Sequence, residues 1–312
     1  TPLDHRTPWR VALRRVAREP RHPDPMPPPP PDPAGRGSHA VQVLRTYPAK
    51  RPALPFAPEG ERSIARAYLK AFHRARRLVY VEDQYLWSGA AARSLADRLR
   101  AEPGLHLVAV VPRYPDQDGR LSGPPSRIGQ QRALEVLRAA GGDRVTVLDL
   151  EAPSGWPIYV HAKVCVIDDV WLMVGSDNLN LRSWTNDSEL SCAVIDEHRD
   201  EREPRDPGGL GDGARVLARD TRLRLWREHL GRDDGDDDDL VDPVAAIEVL
   251  RRSATELDAW HEQGTGPRPP GRLRLHRPGP VRWWAQWWAQ PLHRTLVDPD
   301  GRPRAIRRAG GF

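Results

Sequence analysis

The sequence predicts an α/β fold: an α/β/α sandwich on a mixed, largely parallel sheet, with a helical extension at its C-terminal end. Three observations predict it. Helix-period and strand-period segments alternate from residue 61 to residue 150, the order that lays helices on both faces of a sheet. From His161 to Asn178 an alternating, β-branched stretch reads as two strands joined near Asp168 and Asp169. Beyond residue 231 the patterns are helical again, separated by Gly/Pro loops.

Residues 1–38 are expected to lie outside that sandwich. TPLDHRTPWRVALRRV looks like the tail of a preceding domain, and the Pro-rich joint at 19–35 should be an extended polyproline connector with little packing of its own. HAVQVLRTYP (39–48) reads as the opening strand. ERSIARAYLKAFHRARR (61–77) places Ile64, Tyr68, Phe72 and Ala75 on one helical face, and LVYVEDQYLW (78–87) follows as a buried strand. Next come a helix near 89–101, a strand at 106–112, a helix near 125–140 and a strand at 145–150. SWTNDSELSCAVID carries a further strand from about Glu189, and GARVLARDTRLRLWREHLG (213–231) is a helix with a Gly stop.

The acidic run at 233–239 lacks the alternate-ligand spacing of a calcium loop and reads as a solvated linker. Asp242 and Pro243 open a helix reaching to 263, as N-cap and first helical residue. After a Gly/Pro loop, RWWAQWWAQ (282–290) puts Trp283, Trp284, Trp287 and Trp288 on one broad helical stripe. Such a stripe either docks on a bilayer or covers the catalytic domain. The expected division is therefore 1–38, a catalytic unit at 39–231 and a Trp-rich extension at 232–312.

Composition narrows little. The 312 residues carry a formal net charge of +5, which suits anionic lipid and nucleic acid equally. Cys165 and Cys192 fall inside predicted strands and read as small buried hydrophobes, not as a disulfide framework or a metal set. No apolar run reaches the roughly 18 to 20 residues of a membrane-spanning helix, so a soluble or peripheral protein is expected.

Chemistry concentrates in HAKVCVIDDVWLMVGSDN. Strand periodicity sends His161 and Lys163 to one face and Asp168 to the other. An imidazole beside a fixed cation suits attack on, or proton donation to, a phosphate ester whose charge the cation holds. Lysine is the informative choice, because only Lys50, Lys70 and Lys163 occur among 48 basic residues. A compact ammonium is expected at 163, where a planar guanidinium would not fit. Glu189, with Asp187 in reserve, is the candidate acceptor of the imidazole Nδ1 proton.

The pattern HxKxxxxD followed by GSxN resembles the signature of the phospholipase D superfamily, filled by His161, Lys163, Asp168, Gly175, Ser176 and Asn178. Three further segments resemble the same family: the opening strand at 39–48, YVEDQYLWSG (80–89) and the LWREHLG helix end. In the second of these Asp83 stands where the family usually has Asn. The resemblance implies that His161 and Lys163 line a phosphate site, that Ser176 and Asn178 hold phosphate oxygens, and that Asp168 and Gly175 are structural. It also makes Glu82, Gln84, Tyr85 and Trp87 candidates for the head-group side of the substrate pocket. No metal or other cofactor is implied.

Such enzymes use two HxK motifs facing each other, one His forming a phosphohistidine and the other protonating the leaving alcohol. Here no other His has a Lys two places on. The expectation is therefore half of a phospholipase D site, acting on phospholipid at a membrane surface. The missing N-terminal half, or a second copy as a homodimer, would complete it. The alternatives are a cardiolipin-synthase-like phosphatidyltransferase, a single-motif homodimeric phosphodiesterase or nuclease, and a non-enzymatic membrane-binding fragment. Scattered basic charge argues against a nucleic-acid partner.

Overall fold

A computed structural model describes residues 35, 37–115, 123–279 and 281–312. The expected tail and polyproline joint fall almost wholly outside these residues. Among the described residues ten strands form one sheet, in the order β10-β5-β4-β3-β7-β8-β9-β1-β2, with β6 paired to β5. They are β1 (His39–Tyr47), β2 (Glu61–Arg62), β3 (Leu78–Asp83), β4 (His106–Val110), β5 (Val145–Glu151), β6 (Pro157–Ile158), β7 (Lys163–Ile167), β8 (Trp171–Gly175), β9 (Glu189–Asp196) and β10 (Leu273–Leu275).

The sheet is mixed. Its parallel pairings join β3, β4 and β5, where consecutive strands are connected through helices α2 (Gly89–Ala101) and α3 (Gly123–Gly141). A parallel pair needs such a crossover, whereas a short turn can only return the chain antiparallel. Antiparallel pairing accordingly runs from β3 through β7, β8, β9 and β1 to β2, and from β5 to β10 and β6.

Strand alternation divides the core into two layers. Val79, Val81, Val147, Cys165 and Met173 point to α2, α3 and helix α1 (Ser63–Arg74). Leu78, Tyr80, Leu148, Val166 and Leu172 point the other way, against α5 (Val216–Leu230) and α6 (Ala245–Gln263). A short helix α4 (Leu181–Thr185) precedes β9 and buries Trp184, which stacks on Tyr68 of α1. The α/β/α arrangement read from the sequence is the one found.

Helix ends follow local chemistry. The Ser88 hydroxyl accepts from the amides of Ala90 and Ala91 at the start of α2. Asp242 accepts from Val244 and Ala245 before α6. Gly231 closes α5 in the left-handed region, at φ 68°.

The sheet and its covering helices continue past residue 231. α6 covers one face of the sheet and β10 adds a strand beside β5. The acidic run is no free linker either: Arg227 pairs with Asp234 and Asp237, and Arg232 with Asp236 and Asp239.

The Trp-rich segment forms helix α7 (Trp283–Leu292), followed by a wide turn at His293–Val297 and a last short helix α8 (Arg304–Arg308). Ala285, Ala289 and the partly buried Trp288 pack with Ile128 of α3. The other three tryptophans point away: Trp283, Trp284 and Trp287 are 76%, 49% and 81% exposed. Among the described residues no helix is long and apolar enough to cross a membrane.

Candidate active site

The motif hairpin is held at its turn. Asp168 and Asp169 both lie in the left-handed region, at φ 53° and 56°, where a short polar side chain is tolerated better than a bulky one. The Asp168 carboxylate accepts the backbone amides of Arg76, Arg77 and Leu78, each at 2.8 Å. Asp169, fully buried, receives the guanidinium groups of Arg219 and Arg222 from α5. The turn is thereby tied to both layers of helices, at the end of the sheet away from the chemistry.

At the other end β7 begins with Lys163, partly buried, whose Nζ donates to Gln84 Oε1 and to the carbonyl of His161, both at 3.0 Å. Burial lowers the ammonium's pKa, while Asp83, Glu189 and Asp177 pull it back up. His161 lies just before the strand, exposed, with its ring stacked over Tyr159 at 6.3 Å. Strand alternation therefore positions Lys163 but not His161. Gln84 donates to the Tyr159 hydroxyl at 2.6 Å, so Tyr159, Gln84 and Lys163 form one connected set beneath the imidazole. Tyr159 was missed by the sequence reading, although it sits two residues before His161 in an alternating stretch.

β8 ends at Gly175, where only glycine fits: a Cβ there would lie 1.9 Å from Ser191 Oγ and 2.6 Å from Ser191 Cα. Ser176 follows, and its hydroxyl donates to Glu189 and accepts the amide of Leu190 at 3.1 Å. Glu189 was expected to receive the His161 proton; its close partner is Ser176 instead, since β9 starts directly beside the end of β8. Asp187, the reserve, is occupied by Arg182 at 2.7 Å. Burial raises the Glu189 pKa, and the Ser176 hydroxyl lowers it in part.

Asn178 is 8% exposed, and its Oδ1 has no hydrogen-bond partner among the described residues. Behind it, Asp177 accepts from the Ser191 hydroxyl and is pushed up to about 7 by burial.

The head-group candidates separate. Gln84 lies at the site, and Tyr85 and Trp87, stacked at 4.0 Å, line a cavity of about 500 Å³. Glu82 does not join them. It faces the opposite layer, buried, accepting from Tyr80 and lying 2.7 Å from His229 Nε2. Alternation explains this, because Glu82 pairs with Val164 while Asp83 pairs with Lys163. Asp83 is itself a bracket: it accepts the amides of Tyr85, Leu86 and Leu179. The cavity's other walls include Asn178, Arg182, Asp187 and Glu189 and, from the C-terminal segment, Leu292, Leu296 and Val297. Among the described residues no group of three or more His, Cys, Asp or Glu side chains could hold a metal ion.

A family model described as phospholipase D matches residues 150–276, from the end of β5 through β10, a span that contains every residue of the HxK and GSxN motifs. Over these residues the chain is similar to the phospholipase D family. It is 28% identical over 291 residues to phospholipase D zeta 1 of Arabidopsis thaliana, across 79% of this chain and 26% of that protein. Phospholipase D alpha 2 of Oryza sativa subsp. japonica matches at 27% over 320 residues, 81% of this chain and 38% of the relative. Phospholipase D1 of Schizosaccharomyces pombe matches at 27% over 238 residues, 62% of this chain and 17% of the relative. The chain thus spans between 17% and 38% of the length of these three relatives.

Among solved structures, the family member Nuc from Salmonella typhimurium aligns with 17% identity and a TM-score of 0.39, over 61% of this chain and 93% of that one. Phosphatidylserine synthase from Haemophilus influenzae aligns with 16% identity and a TM-score of 0.37, over 51% and 35%.

Proposed function

We propose that this chain supplies the second half of a phospholipase D site. The complete site would hydrolyse glycerophospholipid phosphodiesters, such as phosphatidylcholine, to phosphatidate and free alcohol. One observation carries the reading: His161, Lys163, Ser176, Asn178 and Glu189 gather at one end of the sheet, beside a cavity of about 500 Å³. Lys163 uses two donors on Gln84 and on the His161 carbonyl, and an ammonium has three. The third is the one for a phosphate oxygen. Ser176 and the Asn178 amide face the same charge, which grows as phosphorus becomes five-coordinate.

In this reading an imidazole of the other half attacks phosphorus and forms the phosphohistidine. The P–O bond to the alcohol breaks, and the alcohol oxygen leaves with the proton of His161. His161 then takes a proton from water, whose oxygen attacks phosphorus and frees the first imidazole. With an alcohol in place of water the phosphatidyl group is transferred instead.

An imported half also accounts for an uncovered surface. Val41 and Val43 of β1, Val174 of β8 and Leu190 of β9 are exposed, and they share one face of three adjacent strands. Apolar side chains contiguous on a sheet favour a packed partner over water. Either a further polypeptide segment or a second copy of this chain can take that role.

The test is choline release from phosphatidylcholine vesicles by this chain, with its mass in solution measured alongside. We expect no turnover from a monomer and turnover once the opposing half, or a second copy, is present. Turnover by a monomer would overturn the two-imidazole reading. In the assembled enzyme His161→Ala should lower turnover by on the order of 10²- to 10⁴-fold; a smaller loss rejects the general-acid role.

A further inference from the structure

We propose that helix α7 and the turn after it form a docking surface for a phospholipid bilayer. It would insert Trp283, Trp284 and Trp287 at the membrane interface and hold lipid phosphates with Arg132 and Arg294. The helix has two faces of different kinds. Its small residues Ala285 and Ala289, with Trp288, anchor it on α3, so the exposed tryptophans are held outward by packing behind them. Trp283 and Trp287 stand one turn apart, 76% and 81% exposed. A soluble surface rarely keeps large apolar rings in this state, whereas indole is favoured at the level of lipid head groups.

Charge supports the same occupant. Trp283 and Trp287 share a groove of about 630 Å³ with Arg132 and Arg294. Neither arginine has an ion-pair partner among the described residues, and both act electrostatically on His293 between them. Two unpaired guanidinium groups beside indole rings match a surface that presents phosphate oxygens above acyl chains.

The surface is also continuous with the site. Leu292 and Leu296, 38% and 67% exposed, extend the apolar strip of α7 and at the same time line the cavity that reaches Asn178 and Glu189. A lipid drawn from a bilayer at this surface would keep its acyl chains against these leucines while its phosphate passed toward Lys163.

The inference rests on the phospholipid reading of the site, but binding needs no chemistry, so the two fail separately. The experiment is cosedimentation of the full chain with phosphatidylcholine vesicles, with and without phosphatidylglycerol. Tryptophan emission is followed alongside, in the presence of lipids brominated in the acyl chains. We expect binding strengthened by phosphatidylglycerol, a blue-shifted emission and quenching by bromine. The double variant Trp283→Ala, Trp287→Ala should bind about tenfold or more weakly. It should keep its Tm, because both rings are exposed.

Arg132→Gln and Arg294→Gln should each weaken binding to anionic vesicles by roughly fivefold and reduce its salt dependence. His161→Ala should bind as the parent does. A parent chain that leaves vesicles unbound, or a Trp variant that binds equally well, would overturn the proposal. So would a drop in solution mass on replacing the tryptophans with vesicle binding unchanged, which would make the strip a contact between copies of the chain. Absence of choline release by the assembled parent enzyme, with vesicle binding retained, would overturn the catalytic reading alone.

Discussion

At the scale of single residues, the site depends on positions that never touch substrate. Gly175 is required by contact, since a Cβ would meet the backbone of Ser191 at 2.6 Å as well as its hydroxyl. A side-chain rotation cannot absorb that. Gly175→Ala is expected to cost about 1–3 kcal/mol by overpacking, measured by denaturant unfolding. It should also separate Ser176 from Glu189; an unchanged midpoint would show that β8 and β9 can part without loss.

The residue types of the site were legible for a chemical reason. A chain that uses lysine three times in 48 basic positions singles out Lys163. Less could be read of the contacts. The Ser176–Glu189 pair depends on the register of β8 against β9, and Tyr159 meets Gln84 across 75 residues of sequence. Spacing carries neither.

At the scale of elements, α7 sits on a buried titratable group. His293 lies 2.8 Å from the carbonyl of Pro125 and edge-on to Trp87, and burial, with Arg132 and Arg294 nearby, lowers its pKa to about 4. A histidine held neutral in the folded state contributes stability above its ordinary pKa near 6.5, and that contribution is lost as pH falls toward 4. Amide protection factors across residues 283–297, taken relative to intrinsic exchange at each pH, should therefore fall between about pH 6.5 and pH 4, ahead of those of the sheet. Equal protection of both over that window would remove His293 as the anchor.

Element boundaries show where local pattern gives way to tertiary contact. The strand expected to run to Trp87 stops at Asp83, because that carboxylate captures the amides of Tyr85 and Leu86 and turns the chain, with Leu86 at φ 45°. β10 is three residues of LRL between Gly/Pro loops. It is a strand only because β5, more than 100 residues earlier, offers it an edge.

At the scale of the whole molecule, two buried carboxyl groups, Asp177 and Asp298, are both pushed up to about 7. A carboxyl whose folded pKa is raised favours the protonated form. Its contribution to stability is present at low pH and is lost as pH rises from about 4 to about 7. Asp298 also accepts the Arg182 amide at 2.7 Å, a contact that an amide side chain can keep. Asp298→Asn should thus raise the Tm at pH 8, with the gain growing between about pH 4 and pH 7 and then levelling. A gain independent of pH would point to packing instead of ionisation.

The sandwich itself was readable because its helices and strands differ in period. What escaped the sequence was its extent. Residues after 231 complete the sheet, cover it and wall the cavity beside Asn178 and Glu189, through contacts that no local pattern encodes.

The paired aspartates at the hairpin turn work as a rivet through the sheet. One end is fixed in the amides that start β3, the other in the guanidinium groups of α5. β7 and β8 run from this rivet to Lys163 and Ser176, a span of about 17 Å for five residues of strand. The spacing of Lys163 and Ser176 is thus set at the opposite end of the two strands. A change on α5, at Arg222 for instance, would reach the chemistry as a slackening of that spacing, with every residue of the site still in place.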